Sequence, residues 1–129
     1  MICPMCGREF TKYDIIGRGR LLFTPEMARR YVGPVTSGAE VDRYATIMRA
    51  GDWDTHMAPL RIWDGGTSMR NGFTRMAALI KAGVSIEFDV QVLKEVNWVA
   101  RDGKIVSTVH HTETLTEDEV KQQIVKATT

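Results

Sequence analysis

The stretch from residue 62 to residue 83 contains the residue types most able to bind a phosphate. Gly72 and Arg75 stand three positions apart, with Asn71 before them and Thr74 between them. A glycine lets a phosphate approach the backbone, an arginine one turn into a helix can hold two of its oxygens, and a threonine hydroxyl can donate to another. A helix that begins here also offers unpaired N–H groups and the positive end of its dipole. The pattern therefore predicts a phosphate or nucleotide site.

Three acidic residues are candidates for coordinating magnesium or acting as a general base. They are Asp64, Glu26 and Asp102, and Asp64 would lie near the phosphate site if a hairpin leads directly into the helix. Each also has a structural explanation, which we favour. An aspartate in an Asp-Gly turn accepts from local N–H groups, and a glutamate in the first turn of a helix complements its dipole. Gly72 can likewise serve only to permit a turn, and Arg75 only to pair with a neighbour such as Asp64.

The segment Cys-Pro-Met-Cys-Gly at residues 3–7 resembles one knuckle of a zinc ribbon. Structural zinc needs four ligands, and no second Cys-x-x-Cys follows Cys3 and Cys6. Three hypotheses compete: both cysteines completed by two of the histidines His56, His110 and His111, a four-cysteine site shared between two chains, or two thiols without metal. Adjacent residues of a strand face opposite sides, so at most one of the last two histidines is expected to face a metal.

Hydrophobic periodicity and turn signals predict the elements that position these residues. The N-terminal segment, including Gly17-Arg18-Gly19, is expected to be an irregular appendage that leads into a strand. The predicted elements are then a strand at 20–24, a helix from Pro25 to the Gly33-Pro34 pair, a helix over 39–50, a strand over 59–63, a turn at Asp64-Gly65-Gly66 and a strand over 67–70.

The second half of the chain has clearer signals for where elements begin and end. Asn71 is predicted as the N-cap of a helix that closes at Gly83 in the left-handed conformation. Period-two alternation then predicts a strand over 86–92. We expect a hairpin over 96–111 and a final helix that opens with the capping box Thr116–Glu119.

The helix start at residues 72–78 reads Gly-Phe-Thr-Arg-Met-Ala-Ala and follows a strand and an Asp-Gly turn. This order resembles the core motif of the ParB/sulfiredoxin-like superfamily. Residues 23–28 and 44–53 are similar to segments of uncharacterised ParB-like proteins from phages and bacteria, so the resemblance covers roughly residues 20–93. It implies an α+β fold in which helices pack on a small mixed sheet. Residues 1–19 would add an N-terminal Cys-x-x-Cys knuckle, and residues 94–129 would add a C-terminal hairpin and helix.

The resemblance implies nucleotide binding, but differences within the motif argue against some of the superfamily's activities. Sulfiredoxin-like members have a reactive cysteine and a histidine where this chain has Phe73 and Thr74. Partition CTPases have two adjacent arginines, of which this chain keeps only Arg75. Phage-type members usually show Asp-Gly-Gln-His-Arg, and here Asn71 takes the aspartate position. Sulfinic-acid reduction is therefore nearly excluded, partition-type hydrolysis is not favoured, and nucleotide binding is open.

Three functional hypotheses follow. The first, which we favour, is a ParB-like nucleotide- or phosphate-binding module of phage type that acts as a DNA-associated or regulatory factor. The second is a protein-interaction factor that kept the fold without catalysis and binds a host or DNA-bound protein. The third is a magnesium-dependent nuclease or phosphotransferase assisted by Asp64 or Glu26. Zinc and a magnesium nucleotide are the cofactors that these hypotheses involve.

Size and charge restrict the class of protein further. A chain of 129 residues fits one domain, and its formal net charge of +1 argues against a protein whose main task is to wrap nucleic acid. The N-terminus lacks a charged region followed by an apolar stretch, so we expect neither a secretory signal nor a membrane anchor, and a cytoplasmic location. The oligomeric state is left open.

Overall fold

A computed structural model describes residues 13–95, 98–107 and 115–129. Within these ranges the chain forms a mixed α+β structure with six strands and four helices, and a short 3-10 turn over Arg29–Tyr31 follows the first helix. The strands are β1 (Tyr13–Phe23), β2 (Leu60–Trp63), β3 (Met69–Asn71), β4 (Ile86–Glu95), β5 (Trp98–Arg101) and β6 (Lys104–Ser107), and the helices are α1 (Pro25–Ala28), α2 (Gly38–Arg49), α3 (Phe73–Ala82) and α4 (Glu117–Thr128).

The main sheet has four strands in the order β1-β4-β2-β3. The pairs β1/β4 and β2/β3 are antiparallel, whereas β2 and β4 are parallel. The predicted α+β class and mixed sheet are therefore confirmed. The strands β5 and β6 form a separate antiparallel pair, and their Asp102-Gly103 turn lies where the hairpin was predicted.

One face of the sheet carries the core. Leu60 and Ile62 of β2 lie opposite Val90 and Val92 of β4, and all four side chains are buried. The period-two pattern predicted this for β4, because alternate residues of a strand share a face. The helices supply the other side of the same cluster through Ala45, Met48, Met76, Leu79, Val120 and Ile124.

The first strand is longer than expected, so the prediction of an irregular segment at Gly17-Arg18-Gly19 is wrong. These residues lie inside β1 and pair with β4. Their glycines instead make room for the C-terminal part of the chain. A Cβ atom on Gly17 would lie 2.7 Å from Val120 Cγ2, and one on Gly19 would lie 3.3 Å from a methyl carbon of the same valine.

Local signals placed most helix ends correctly. Thr116 and Glu119 form the predicted capping box, and Gly83 closes α3 with a φ of 69°. Pro25 opens α1 as predicted, but this helix has only four residues and continues as the 3-10 turn. None of the helices in the described ranges combines the length and apolarity that a membrane crossing requires.

Candidate functional site

A sharp reversal joins β3 to α3 at the predicted phosphate site. Asn71 is the last residue of β3 and lies opposite Arg61, so the prediction of Asn71 as N-cap is wrong. Gly72 is the N-cap, with a φ of 125° that only glycine adopts without strain. A Cβ atom there would lie 2.6 Å from Leu60 Cδ2, so glycine is required by packing as well as by backbone conformation.

The first turn of α3 therefore begins without a side-chain cap. Gly72 has no side chain, and the first helical hydrogen bond runs from Met76 N to the Gly72 carbonyl. The N–H groups of Phe73, Thr74 and Arg75 precede that bond and have no acceptor within the helix. Such groups, together with the helix dipole, attract an anion.

The start of α3 opens onto a groove of about 280 Å³. All four predicted phosphate-binding residues line it, so the structure brings them together. The lining residues are Pro34, Thr36, Tyr44, Asn71, Gly72, Phe73, Thr74 and Arg75. None of them is acidic.

Thr74 bonds to the segment before α2. Its hydroxyl accepts from the backbone N–H of Thr36 at 3.0 Å, and the two hydroxyl oxygens lie 3.3 Å apart. Next to this contact the ring of Phe73 packs on Gly33, where a Cβ atom would lie 2.6 Å from the ring. The residues at the start of α3 thus hold one wall of the groove in place.

Arg75 is also engaged by the protein. Its Nη1 donates to the carbonyl of Ala58, and its Nη2 donates to the carbonyl of Pro59 at 3.4 Å. Burial lowers the pKa of Arg75 from its ordinary value. Arg75 does bond to a neighbouring segment, as the structural explanation predicted, but its partners are carbonyls rather than Asp64. The other three of the five guanidinium N–H donors form no hydrogen bond with a described residue.

Tyr44, which also lines the groove, lies next to an ion pair between Glu40 and Arg43. Arg43 donates to Glu40 at 2.5 Å and 3.2 Å, and its guanidinium lies 5.0 Å from the centre of the Tyr44 ring. Hydrogen bonds from Arg43 and then Tyr44 lower the pKa of Glu40, and the bond to Glu40 raises the pKa of Tyr44. Sequence reasoning did not identify Tyr44 or Thr36 as residues of this groove. The Glu40–Arg43 spacing of three residues was the available signal.

The candidate carboxylates lie outside the groove. Asp64 Oδ1 accepts from Gln123 Nε2 of α4 at 2.9 Å. Glu26 is exposed and lies 3.9 Å from Arg29. Asp102 lies in the β5–β6 turn with a φ of 51°. Asp64 thus has a structural partner, but this partner is Gln123 of α4 rather than the local N–H groups that the turn signal predicted.

The proposed zinc ligands Cys3, Cys6, His110 and His111 lie outside the described residues. His56 is described and exposed, and it lines a different groove from Arg75. Within residues 13–95, 98–107 and 115–129, no three His, Cys, Asp or Glu side chains are close enough together to hold a metal ion. Zinc binding stays a prediction.

Comparison with known proteins adds no relative. Neither a protein-family model, nor a curated protein, nor a solved structure matches the chain. The resemblance to the ParB/sulfiredoxin-like superfamily therefore rests on the sequence motifs alone.

Proposed function

We propose that the protein is a nucleotide- or phosphate-binding module with a ParB/sulfiredoxin-like core, and that the groove at the start of α3 is its site. The observation that carries the proposal is the helix start itself. α3 begins at Gly72 without a side-chain cap, and its first three residues line a groove whose described lining has no carboxylate. An anion in that groove would be stabilised by the N–H groups and the helix dipole.

The size of the groove restricts the ligand. At about 280 Å³ it lies just below the range that encloses a drug-sized molecule, so it suits a phosphoryl group with the rest of the ligand extending outward. Phosphate oxygens would accept from the N–H groups of Thr74 and Arg75 and from the side-chain amide of Asn71. In this proposal the protein acts as a nucleotide-responsive, DNA-associated or regulatory factor.

A second candidate is a protein-interaction factor that kept the fold. The contacts of Thr74 with Thr36 and of Arg75 with Ala58 favour it, because both side chains hold the protein together without a ligand. This candidate predicts that no nucleotide stabilises the protein. The third hypothesis, metal-dependent catalysis, has less support because Asp64 and Glu26 lie outside the groove.

Thermal unfolding with a panel of nucleoside mono-, di- and triphosphates and inorganic phosphate, each with and without magnesium, tests the proposal. A ligand that binds only the folded state adds about 2.7 kcal/mol when present at about 100 times its dissociation constant. We expect at least one member of the panel to raise the midpoint. No shift with any of them would overturn the proposal and favour the interaction factor.

The variant Asn71→Asp locates the site without disturbing the fold. It places a negative charge beside the start of α3, where a carboxylate stabilises the helix but repels a phosphate. We expect unchanged or higher stability without ligand and a lost or much smaller ligand shift. Gln122→Glu makes the same change of charge on the exposed face of α4 and should keep the full shift. Equal shifts in both variants would place the ligand elsewhere.

A further inference from the structure

A second, larger groove lies where β1 and β4 meet the segment that leads into β2. Its volume is about 600 Å³, within the range that holds a small-molecule ligand. The strands contribute Arg18, Gly19, Arg20, Asp89, Val90 and Gln91, and His56, Met57, Ala58, Pro59 and Glu117 complete the lining. The groove shares no lining residue with the one at α3.

Gln91 is the unusual residue of this groove. It lies in the central strand β4, between Arg18 of β1 and Arg61 of β2, and is 9% exposed. In the described part of the chain its Oε1 atom is buried and accepts no hydrogen bond. A buried acceptor without a donor destabilises a protein, because its hydrogen bonds to water are lost and not replaced. Since the terminal torsion of glutamine is soft, this oxygen can turn to meet a donor in the groove.

Of the two arginines that line the groove, Arg18 has no ion-pair partner among the described residues. Arg20 is neutralised by Asp89 at 3.0 Å and Glu87 at 3.3 Å, and Glu117 lies 3.6 Å from Lys121. Arg18 is exposed and forms no ion pair with any described residue. Arg18 and Gln91 are direct neighbours across the strands, so a cation and an unsatisfied acceptor stand side by side.

We propose that this groove binds a small molecule that combines one anionic group with an amide-type N–H. The anionic group pairs with Arg18, and the N–H donates to Gln91 Oε1. The anion is a phosphate or a carboxylate, and the groove is large enough for a molecule the size of a nucleoside monophosphate or an acylated amino acid. This site is separate from the α3 groove and does not depend on the function proposed for it.

Two-dimensional NMR of the full chain tests the site with defined probes. Uridine 5′-monophosphate supplies a phosphate and an imide N–H, and N-acetylglycine supplies a carboxylate and an amide N–H. Uridine, acetate and inorganic phosphate supply one group each. We expect one of the two combined probes to shift the Gln91 side-chain amide and the Arg18 backbone amide, and to bind about tenfold more tightly than the fragments. Failure of both combined probes to shift these signals would overturn the proposal.

Two substitutions separate this groove from the other. Gln91→Met keeps the length of the side chain and removes the acceptor. Arg18→Met removes the exposed cation, and it still tests the proposal if Gln91→Met does not fold. Each should weaken binding about tenfold. Arg30→Met, at an exposed position of the 3-10 turn, should leave the dissociation constant measured from the Arg18 and Gln91 signals unchanged. Unchanged binding in both Arg18→Met and Gln91→Met, or an equal loss in Arg30→Met, would overturn the proposal.

Discussion

The guanidinium of Arg75 donates to the carbonyl of Ala58, so a side chain of one groove holds the lining of the other. Arg75 lines the groove at the start of α3, whereas Ala58 and Pro59 line the larger groove between β1 and β4. A substitution at Arg75 therefore disturbs the protein even in the absence of a ligand. Loss of nucleotide binding in such a variant would not by itself identify a contact with phosphate.

We predict that Arg75→Met lowers the free energy of unfolding by about 0.5–1.5 kcal/mol in the absence of ligand. The reason is that two hydrogen bonds from a charged donor are lost, while water can replace the donor at the exposed Ala58 and in part at the half-buried Pro59. Urea unfolding measures the change. Arg30→Met, at an exposed position, is the matched control and should change stability by less than about 0.5 kcal/mol. Equal values for the two variants would show that the bonds to Ala58 and Pro59 contribute little.

Sequence reasoning succeeded where a structure is decided by near neighbours. The Thr116–Glu119 capping box and the closure of α3 at Gly83 depend on residues within one helical turn. The alternation of β4 identified its buried face for the same reason. The four predicted phosphate residues also fell together in one groove, because three of them belong to a single helix start.

The failures came from partners that are distant in sequence. Asn71 does not cap α3, because pairing with Arg61 keeps it in β3 and Gly72 alone fits beside Leu60. The partner of Asp64 lies 59 positions away, on a helix whose position depends on the whole core. No local pattern contains that information.

Asp64 and Gln123 are predicted to stabilise the protein as a pair. Gln123 donates to Asp64 at 2.9 Å, and its Oε1 accepts from Gly65 N at 3.2 Å, so one side chain joins α4 to the β2–β3 turn. A double-mutant cycle of Asp64→Ala and Gln123→Ala should give a coupling free energy of about 0.5–1.5 kcal/mol. Gln122→Ala, one residue away on the exposed face, should give additive effects with Asp64→Ala. A coupling near zero would mean that the exposed bond adds nothing to stability.

Ionisation of Tyr31 is predicted to lower the free energy of unfolding at high pH. Its hydroxyl is buried and donates to the Gly66 carbonyl at 2.5 Å, and burial raises its pKa to about 12 from an ordinary value of 10.0. The folded state therefore holds this proton more tightly than the unfolded state. Its contribution to stability is complete below pH 10 and is lost as the pH rises toward 12.

The variant Tyr31→Phe isolates this contribution. At neutral pH it should lower the free energy of unfolding by about 1–3 kcal/mol, because the Gly66 carbonyl loses its donor. Between about pH 8 and about pH 11, wild type should lose more stability than the variant, whose phenyl ring cannot ionise. Urea unfolding at both pH values provides the comparison. Parallel pH profiles would show that the Tyr31 hydroxyl titrates as it does in the unfolded chain.

Gly17 is predicted to be required by packing, because β1 is in direct contact with α4 and with Leu115 at this position. A Cβ atom at this position would lie 2.7 Å from Val120 Cγ2 and 2.8 Å from Leu115 Cβ. Neither neighbour can move away easily, since valine in a helix has one favoured rotamer and a leucine Cβ is fixed to its backbone. Gly17→Ala should therefore lower the free energy of unfolding by about 1–3 kcal/mol.

Gly38→Ala is the matched control for this prediction. Gly38 begins α2, and a Cβ atom there would meet no other atom within 4 Å. Alanine reduces the freedom of the unfolded chain without a clash, so this variant should gain about 0.4–1 kcal/mol. Opposite signs for the two substitutions, measured by urea unfolding, would establish that α4 packs closely on β1. Similar values would mean that β1 and α4 separate at little cost, and the packing of the C-terminal helix on the sheet would then have to be reconsidered.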